Sequence, residues 1–285
     1  MPSADCSVRF ERLVVRKEAA ARDAAIAAFI TDADRPDAAL VAMGNAWSRT
    51  MFDGPFYLSA ALSLDVPATS LVFVQSRDGN TGATDPASLG GGEADKHLIY
   101  EGLSRVAADA VLAGAETVRS GNIVLSTWRP ELVELRRSLG LPRHPIQIVA
   151  TLRGLKLDDG LLFNVPELRV ILLTLPACSE LMRTQLADRP WVMPIAMPTA
   201  HDLPFAFRQL RELGIQRISC IGGRTIAEQL IDAGLIQDVY LTTAPQPGGE
   251  PNTPFYSKPL PAREVVRKHG SGQDTGVIFQ HLVVS

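Results

Sequence analysis

Cysteine is scarce in this sequence. The 285 residues hold three, Cys6, Cys178 and Cys220, far apart and with no Cys-x-x-Cys pair. Neither a disulfide framework nor a structural zinc site follows from that spacing. Cys220, inside an apolar stretch, reads as a small core residue. The five histidines, His97, His144, His201, His269 and His281, show no metal-ligand spacing, so no metal is expected. No apolar run approaches the roughly 18 residues of a membrane span, and residues 1–12 carry charge where a signal peptide needs an apolar core. The expectation is a soluble, cytoplasmic protein without membrane contact. An excess of positive charge is also missing. The formal net charge is −3, which offers no broad surface to a polyphosphate chain and argues against nucleic acid as a partner. A small anionic ligand needs only a few local cations and stays open.

Catalytic signatures are absent too. There is no Gly-x-x-x-x-Gly-Lys-Ser/Thr, no Gly-x-Gly-x-x-Gly and no Gly-x-Ser-x-Gly. The His-x-Glu and Pro-Cys-x-x-Cys of a zinc deaminase, which hold its metal and move its protons, are missing. What remains is a set of glycine turns, hydroxyls and a few arginines. Hydride transfer suits such a set, because the cofactor carries the reaction and the protein orients it.

The composition, 46% apolar and 21% charged, is that of an ordinary globular chain. Apolar runs near 70–75, 109–113, 146–151, 168–175, 192–197, 218–221 and 239–244 read as strands of a sheet covered on both faces. Between them lie helical patterns. Over 95–107, Leu98, Ile99, Gly102, Leu103 and Val106 share one face, with Lys96, Glu101 and Arg105 off it. Gly90-Gly91-Gly92 before that helix reads as a flexible connection. A last apolar run at 277–284 adds an antiparallel strand. The fold class is therefore α/β, a mostly parallel sheet flanked by helices. Residues 1–66 stand apart as an N-terminal extension to a main domain over 67–285. Residues 8–15 read as a strand, 17–30 as an Ala-rich helix and 32–36 as a polar break. Trp47, Met51, Phe52, Pro55, Phe56 and Tyr57 surround Asp53-Gly54, which predicts packing on the main domain or a partner subunit. A pocket lid from Trp47 or Phe56 is the alternative.

The stretch Arg217-Ile218-Ser219-Cys220-Ile221-Gly222-Gly223-Arg224-Thr225-Ile226 reads as strand, two-glycine turn and helix start. Glycine opens backbone angles closed to other residues, and the free N–H groups and positive dipole end of a helix favour an anion. Arg224 adds a full charge. This is either a dinucleotide pyrophosphate site or a plain connection. Thr151-Leu152-Arg153 leaves another strand with a hydroxyl and a guanidinium, a pair that suits a phosphate monoester such as the 2′-phosphate of NADP. Asp78, in Ser76-Arg77-Asp78-Gly79, is the nearest candidate for a proton donor, or else a turn former.

Val74-Gln75-Ser76-Arg77-Asp78-Gly79, residues 105–118 and residues 221–245, in that order, resemble the C-terminal reductase domain of the riboflavin-biosynthesis deaminase-reductase. The resemblance spans about 70–285. It implies a dihydrofolate-reductase-like fold, NADPH as cofactor, a homodimer, and reduction of the ribose of a 5-amino-6-ribosylaminouracil 5′-phosphate. By position it implies cofactor contacts at Gln75, Thr117, Thr151, Leu152, Gly223, Arg224, Thr225 and Ile226. Gly222 and Arg153 join them from the readings above. It places substrate at Arg105, at Ser88, and at Arg129 as a stand-in for an arginine position held here by Trp128. There are departures. Ile221 stands where the family carries an acidic residue, Val72 where it carries a lysine, and Ser120-Gly121-Asn122 replaces an Ala-Asp-Asp-Pro. The deaminase half is absent. The expectation is an NADPH-dependent reductase for this pyrimidine. A related pyrimidine or pterin-like substrate, or a non-catalytic NADP-binding protein, is the alternative.

Overall fold

A computed structural model describes residues 4–83, 85–119, 123–158 and 160–285. The expectation for Ser120-Gly121-Asn122 therefore lies outside the described residues. The chain opens not with a strand but with a long helix, Ala4–Asp23. Phe10, Leu13 and Ala21 face inward at helical spacing, while the β-branched Val8 and Val15 point to solvent. The alanines of 24–28 do not continue it. Phe29 and Ile30 instead open strand β1 (Phe29–Asp34), and the expected polar break at Asp32 is the solvent side of that strand. A hairpin, β2 (Leu40–Met43) and β3 (Phe56–Ser59), brackets helix Ala46–Phe52. Asn45 caps this helix by accepting from Ser48 N while Ser48 Oγ accepts from Asn45 N, a reciprocal box.

The remaining strands are β4 (Ala68–Gln75), β5 (Ala110–Gly114), β6 (Ile146–Ala150), β7 (Val170–Thr174), β8 (Val192–Ala196), β9 (Arg217–Cys220), β10 (Asp238–Thr243), β11 (Ala262–Gly270) and β12 (Ile278–Val284). They join β1 in one sheet of order β1-β11-β12-β10-β4-β9-β5-β6-β7-β8 among the described residues. From β10 to β8 every pairing is parallel, and β12, β11 and β1 add on antiparallel. The parallel strands are continuous apolar runs because both faces are covered. Helices Leu203–Glu212 and Arg224–Asp232 press Phe207, Leu210, Ala227 and Leu230 onto one face. A π-helix, Asp95–Leu103, presses Leu98, Ile99 and Leu103 onto the other, with Phe29, Phe52, Phe56, Tyr240 and Phe279. No helix of the described residues is long and apolar enough to cross a membrane.

Residues 4–66 share this core. Phe56 is fully buried, so it is a packing residue and not a lid. Buried polar ties join the extension to the sheet. Ser59 N and Oγ donate to the Asp238 carboxylate at 3.1 and 2.7 Å, and His281 Nε2 lies 2.7 Å from the same group. Lys268, 2% exposed, donates to Thr31 Oγ1 and Asp53 O and stands 4.5 Å over the Phe52 ring. Its burial depresses the ammonium pKa. Without the extension Lys268 would lose both acceptors, Asp238 would lose the donors of Ser59, and the aromatic faces would meet water. Residues 67–285 expressed alone are therefore expected to be insoluble or to melt far below the full chain. A soluble fragment with the full chain's melting temperature would overturn this.

Candidate functional site

The parallel strands end on a common edge, in the order Thr243, Gln75, Cys220, Gly114, Ala150, Thr174. β9 comes late in the chain yet lies between β4 and β5, so connections leave this edge in opposite directions, the place where open α/β sheets take ligands. The expected cofactor residues converge here from four adjacent strands.

Beyond β9 the chain turns at Gly222 and Gly223, with φ of 94° and 77°. A Cβ at Gly222 would stand 2.8 Å from Phe73 Cζ, so only glycine fits. At Gly223 the nearest atom to such a Cβ is Ile226 Cγ2 at 3.6 Å, and Gly223, Arg224 and Thr225 are exposed, so the bend is open to solvent. Helix Arg224–Asp232 starts without a side-chain cap. Ala227 N donates to Gly223 O at 3.0 Å, which leaves the amides of Arg224, Thr225 and Ile226 ahead of the first helical bond. Arg224 Nη2 is 3.7 Å from Glu250 Oε2. Glu250 belongs to a loop laced to residues 77–82 through Arg77 N to Gln246 O, Thr81 N to Thr253 O and Glu250 N to Gly82 O. This wall flanks the bend.

Gln75 Nε2 donates to Thr243 Oγ1 at 3.0 Å and closes the ends of β4 and β10. Asp78 is exposed at the tip of a turn in which Gly79 N donates to Ser76 O. The space over Gly114 is open, and Thr117 lies in the short helix Ala115–Val118 that follows. Thr151 is buried and donates to Gly154 O. Leu152 and Arg153 are exposed, and Arg153 has no ion-pair partner among the described residues.

The expected substrate residues do not gather at this bend. Ser88 sits in a short 3-10 turn near the ends of β4 and β10, its hydroxyl donating to Asp85 O at 2.6 Å. Arg105 is not a solvated helix arginine. It is 2% exposed, packs 4.2 Å over Tyr100 and donates to Ser126 O at 2.6 Å, while Nε and Nη2 are buried without partners. Beside it Arg143 donates to Ser126 Oγ and Thr127 O, and His144 Nδ1 lies 2.8 Å from Ser126 Oγ. Burial first, then Arg143 and Arg136, pushes the His144 pKa down to about 4. Arg129 is committed to Glu131 and to the carbonyls of Ala21 and Ala24. Ile221 is packed among apolar side chains on the π-helix face.

Sequence reasoning missed Asp95. Its carboxyl lies at the ends of β4 and β10, against Val74 and Thr242, where Gly90-Gly91-Gly92 crosses over it. That run is no flexible connection. A Cβ at Gly91 would meet Asp95 Oδ2 at 2.9 Å and Val74 Cγ2 at 3.0 Å, and one at Gly92 would collide with Asp274 Oδ1. Three glycines before an acidic helix start were the available signal.

The sequence profile of the RibD C-terminal domain matches residues 67–276. No curated protein sequence matches the chain. Among solved structures, a pyrimidine reductase-like protein from Corynebacterium diphtheriae superposes with a TM-score of 0.63 at 22% identity, over 77% of this chain and 92% of that one. RibD of Acinetobacter baumannii gives 0.60 at 19% identity, over 78% of this chain and 58% of its own length. The riboflavin biosynthesis reductase of Saccharomyces cerevisiae gives 0.53 at 17% identity, over 78% and 91%. These likenesses establish the fold.

The Gly222 contact has a direct consequence. Gly222→Ala is expected to lose about 1–3 kcal/mol of stability in chemical denaturation, from left-handed backbone strain and the Phe73 clash together. An unchanged midpoint would refute the contact.

Proposed function

Because the chain belongs to the RibD C-terminal domain family, we propose that it is an NADPH-dependent reductase acting on the 5-amino-6-(5-phosphoribosylamino)uracil of riboflavin biosynthesis. The observation that carries this reading is the open bend at Gly222 and Gly223, with backbone amides and Arg224 ahead of a helix. The residues present fit a dinucleotide. Gly222 to Ile226 would hold the pyrophosphate, Gln75, Thr117, Thr151 and Leu152 would line its path, and Arg153 would meet the 2′-phosphate. The bound cofactor supplies a hydride for a polarised C=N or C=O carbon. The protein's part is to place that carbon, since little else in the site is reactive. The proposal includes a homodimer in the cytoplasm.

On the substrate side, Arg105 is the expected residue whose donors are uncommitted, through Nε and Nη2. Arg129 and Ser88 are held by other groups. A related pyrimidine or pterin-like substrate is the second reading. It is favoured by Ile221, apolar where the family is acidic, and by Trp128, 5% exposed where the family carries an arginine.

The test is NADPH oxidation followed by absorbance with the riboflavin precursor present. Turnover supports the proposal, and binding without turnover on any pyrimidine or pterin would mark a binding protein instead. Arg224→Ala is expected to weaken NADPH about tenfold through loss of a charge-assisted contact. Arg153→Ala should erode the preference for NADPH over NADH while leaving NADH affinity unchanged. Titrations of both variants with both cofactors check the assignment, and unchanged constants would contradict it.

A further inference from the structure

We infer that Asp95 is the proton donor of the reduction, a catalytic acid held at the strand edge between Thr242 and the glycine strap. The inference rests on the reductase reading above and names the group that reading lacks. Four observations carry it.

The first is position. Val74 and Thr242 are register partners, one step before the partners Gln75 and Thr243. Successive strand residues point to opposite faces. Phe73 and Gln75 therefore face the Gly222 bend, and Asp95, against Val74 and Thr242, stands on the other face of the same edge. A ligand draped over the end of β4 reaches both.

The second is an unspent valence. Asp95 Oδ1 is buried and has no hydrogen-bond partner, and neither does the neighbouring Thr242 Oγ1. The hydroxyl faces the carboxyl without completing a bond of ordinary geometry. These are two of several buried polar atoms without partners among the described residues, and an atom in this state calls for a ligand group or a water. The Oδ1 side of the carboxyl is enclosed, while the residue as a whole keeps part of its surface exposed.

The third is the strap. Gly91 lies so close to Asp95 and Val74, and Gly92 to Asp274, that any side chain there would displace the carboxyls. The strap fixes their position.

The fourth is charge. Across from Asp95 stands Asp274, which caps Ala94 N and also has one oxygen, Oδ2, without a partner. Glu93 lies next to Asp274 on the helix side, while β4 and β10 offer no charged side chain to Asp95 here. Lys96, the next residue on the helix, is paired with Glu93, and no ion pair among the described residues joins a cation to Asp95. Burial, opposed by Thr242 and reinforced by Asp274, pushes the Asp95 pKa up to about 6. A usable fraction is then protonated at neutral pH, as a general acid needs.

The step balances. The substrate carbon gains the hydride, and the π pair of its C=N or C=O moves to the heteroatom. That atom takes the proton from Asp95 Oδ1. One O–H bond breaks and one N–H or O–H bond forms. The substrate is reduced by two electrons at the expense of NADPH, and the Asp95 carboxylate recovers a proton from water. Asp78, on the solvent-exposed turn, has no such setting.

The test uses the full chain and the variants Asp95→Asn and Asp95→Glu. Carbon-13 NMR of labelled aspartate in the wild type should show one carboxyl, absent from Asp95→Asn, titrating near pH 6. Because the folded pKa lies above the ordinary 3.8, ionisation burdens the native state above about pH 6, and the burden fades as pH falls toward 4. Asp95→Asn should therefore melt higher than wild type at pH 8 and equal it near pH 4, which also shows that it folds. With the riboflavin precursor, Asp95→Asn should bind NADPH as wild type does but lose about 100-fold or more in kcat. Asp95→Glu should recover part of the rate, and the wild-type fall in rate above pH 6 should vanish in Asp95→Asn. A titration midpoint near 4, or an Asp95→Asn enzyme with wild-type kcat and pH profile, overturns the inference alone. Failure of the wild type to bind or oxidise NADPH overturns the reductase reading and this inference with it.

Discussion

The site depends on one constraint, the entry of β9 between β4 and β5. Cys220 faces Leu71 on one side and Leu112 on the other, so the strand is paired along both edges up to its last residue. The chain cannot continue straight, because helix Arg224–Asp232 must return and press Ala227 and Leu230 onto the sheet. The turn is made in Gly222 and Gly223, directly over the Phe73 ring. Left-handed backbone at two successive positions is tolerable only for glycine, and it aims the next amides outward. The outward run of amides at this edge is thus a by-product of strand order. It would persist with any side chains on the helix that left the turn intact.

That logic explains what was legible in the sequence. The parallel strands were readable because burial on both faces turns each into an unbroken apolar run, and the glycine turn was readable because a close backbone approach admits no other residue. The N-terminal region was not. Residues 8–15 hold three valines and a leucine, a strand-like composition, yet Phe10 and Leu13 are the ones buried and the helical period decides. β1 hid behind the run of alanines that precedes it, and its own pairing is with β11, a strand near the other end of the chain. Arg105 followed a helical pattern that placed it off the apolar stripe. The chain leaves the π-helix at Leu103, however, and the residues after it turn inward.

The two faces of the edge differ in how they are encoded. On the side of Gly222 the information is local, a few consecutive residues in a turn and a helix start. On the side of Asp95 it is distributed. Thr242 comes from β10, Asp274 from the turn before β12, and the glycines from the approach to the π-helix. No single window of sequence contains that cluster, so no motif announces it. The π-helix belongs to the same arrangement. Its wider turn starts at Asp95 itself, and its far end is fastened to β9 by the Ser104 and Ser219 hydroxyls, 2.5 Å apart. π-turns inside helices concentrate at functional sites because they re-aim side chains at the cost of poorer hydrogen bonding.

The far end of that helix shows what surrounds Trp128. Arg136, Arg143 and Arg105 crowd the segment around Ser126 and Thr127, and carbonyl oxygens supply most of their acceptors. The N-terminal helix adds Glu18, 2.7 Å from Arg143, sets Phe10 against His144, and lends two carbonyls to Arg129. Trp128 fits this environment, buried beneath Arg143 with its amide on Glu101. An arginine in its place would add a further cation to a buried cluster whose nearby carboxylates are Glu101, on the Trp128 amide, and Glu18, already paired with Arg143. The extension and the tryptophan are therefore coupled choices. Once residues 4–23 close over this end, an apolar ring fills it without adding a further charge.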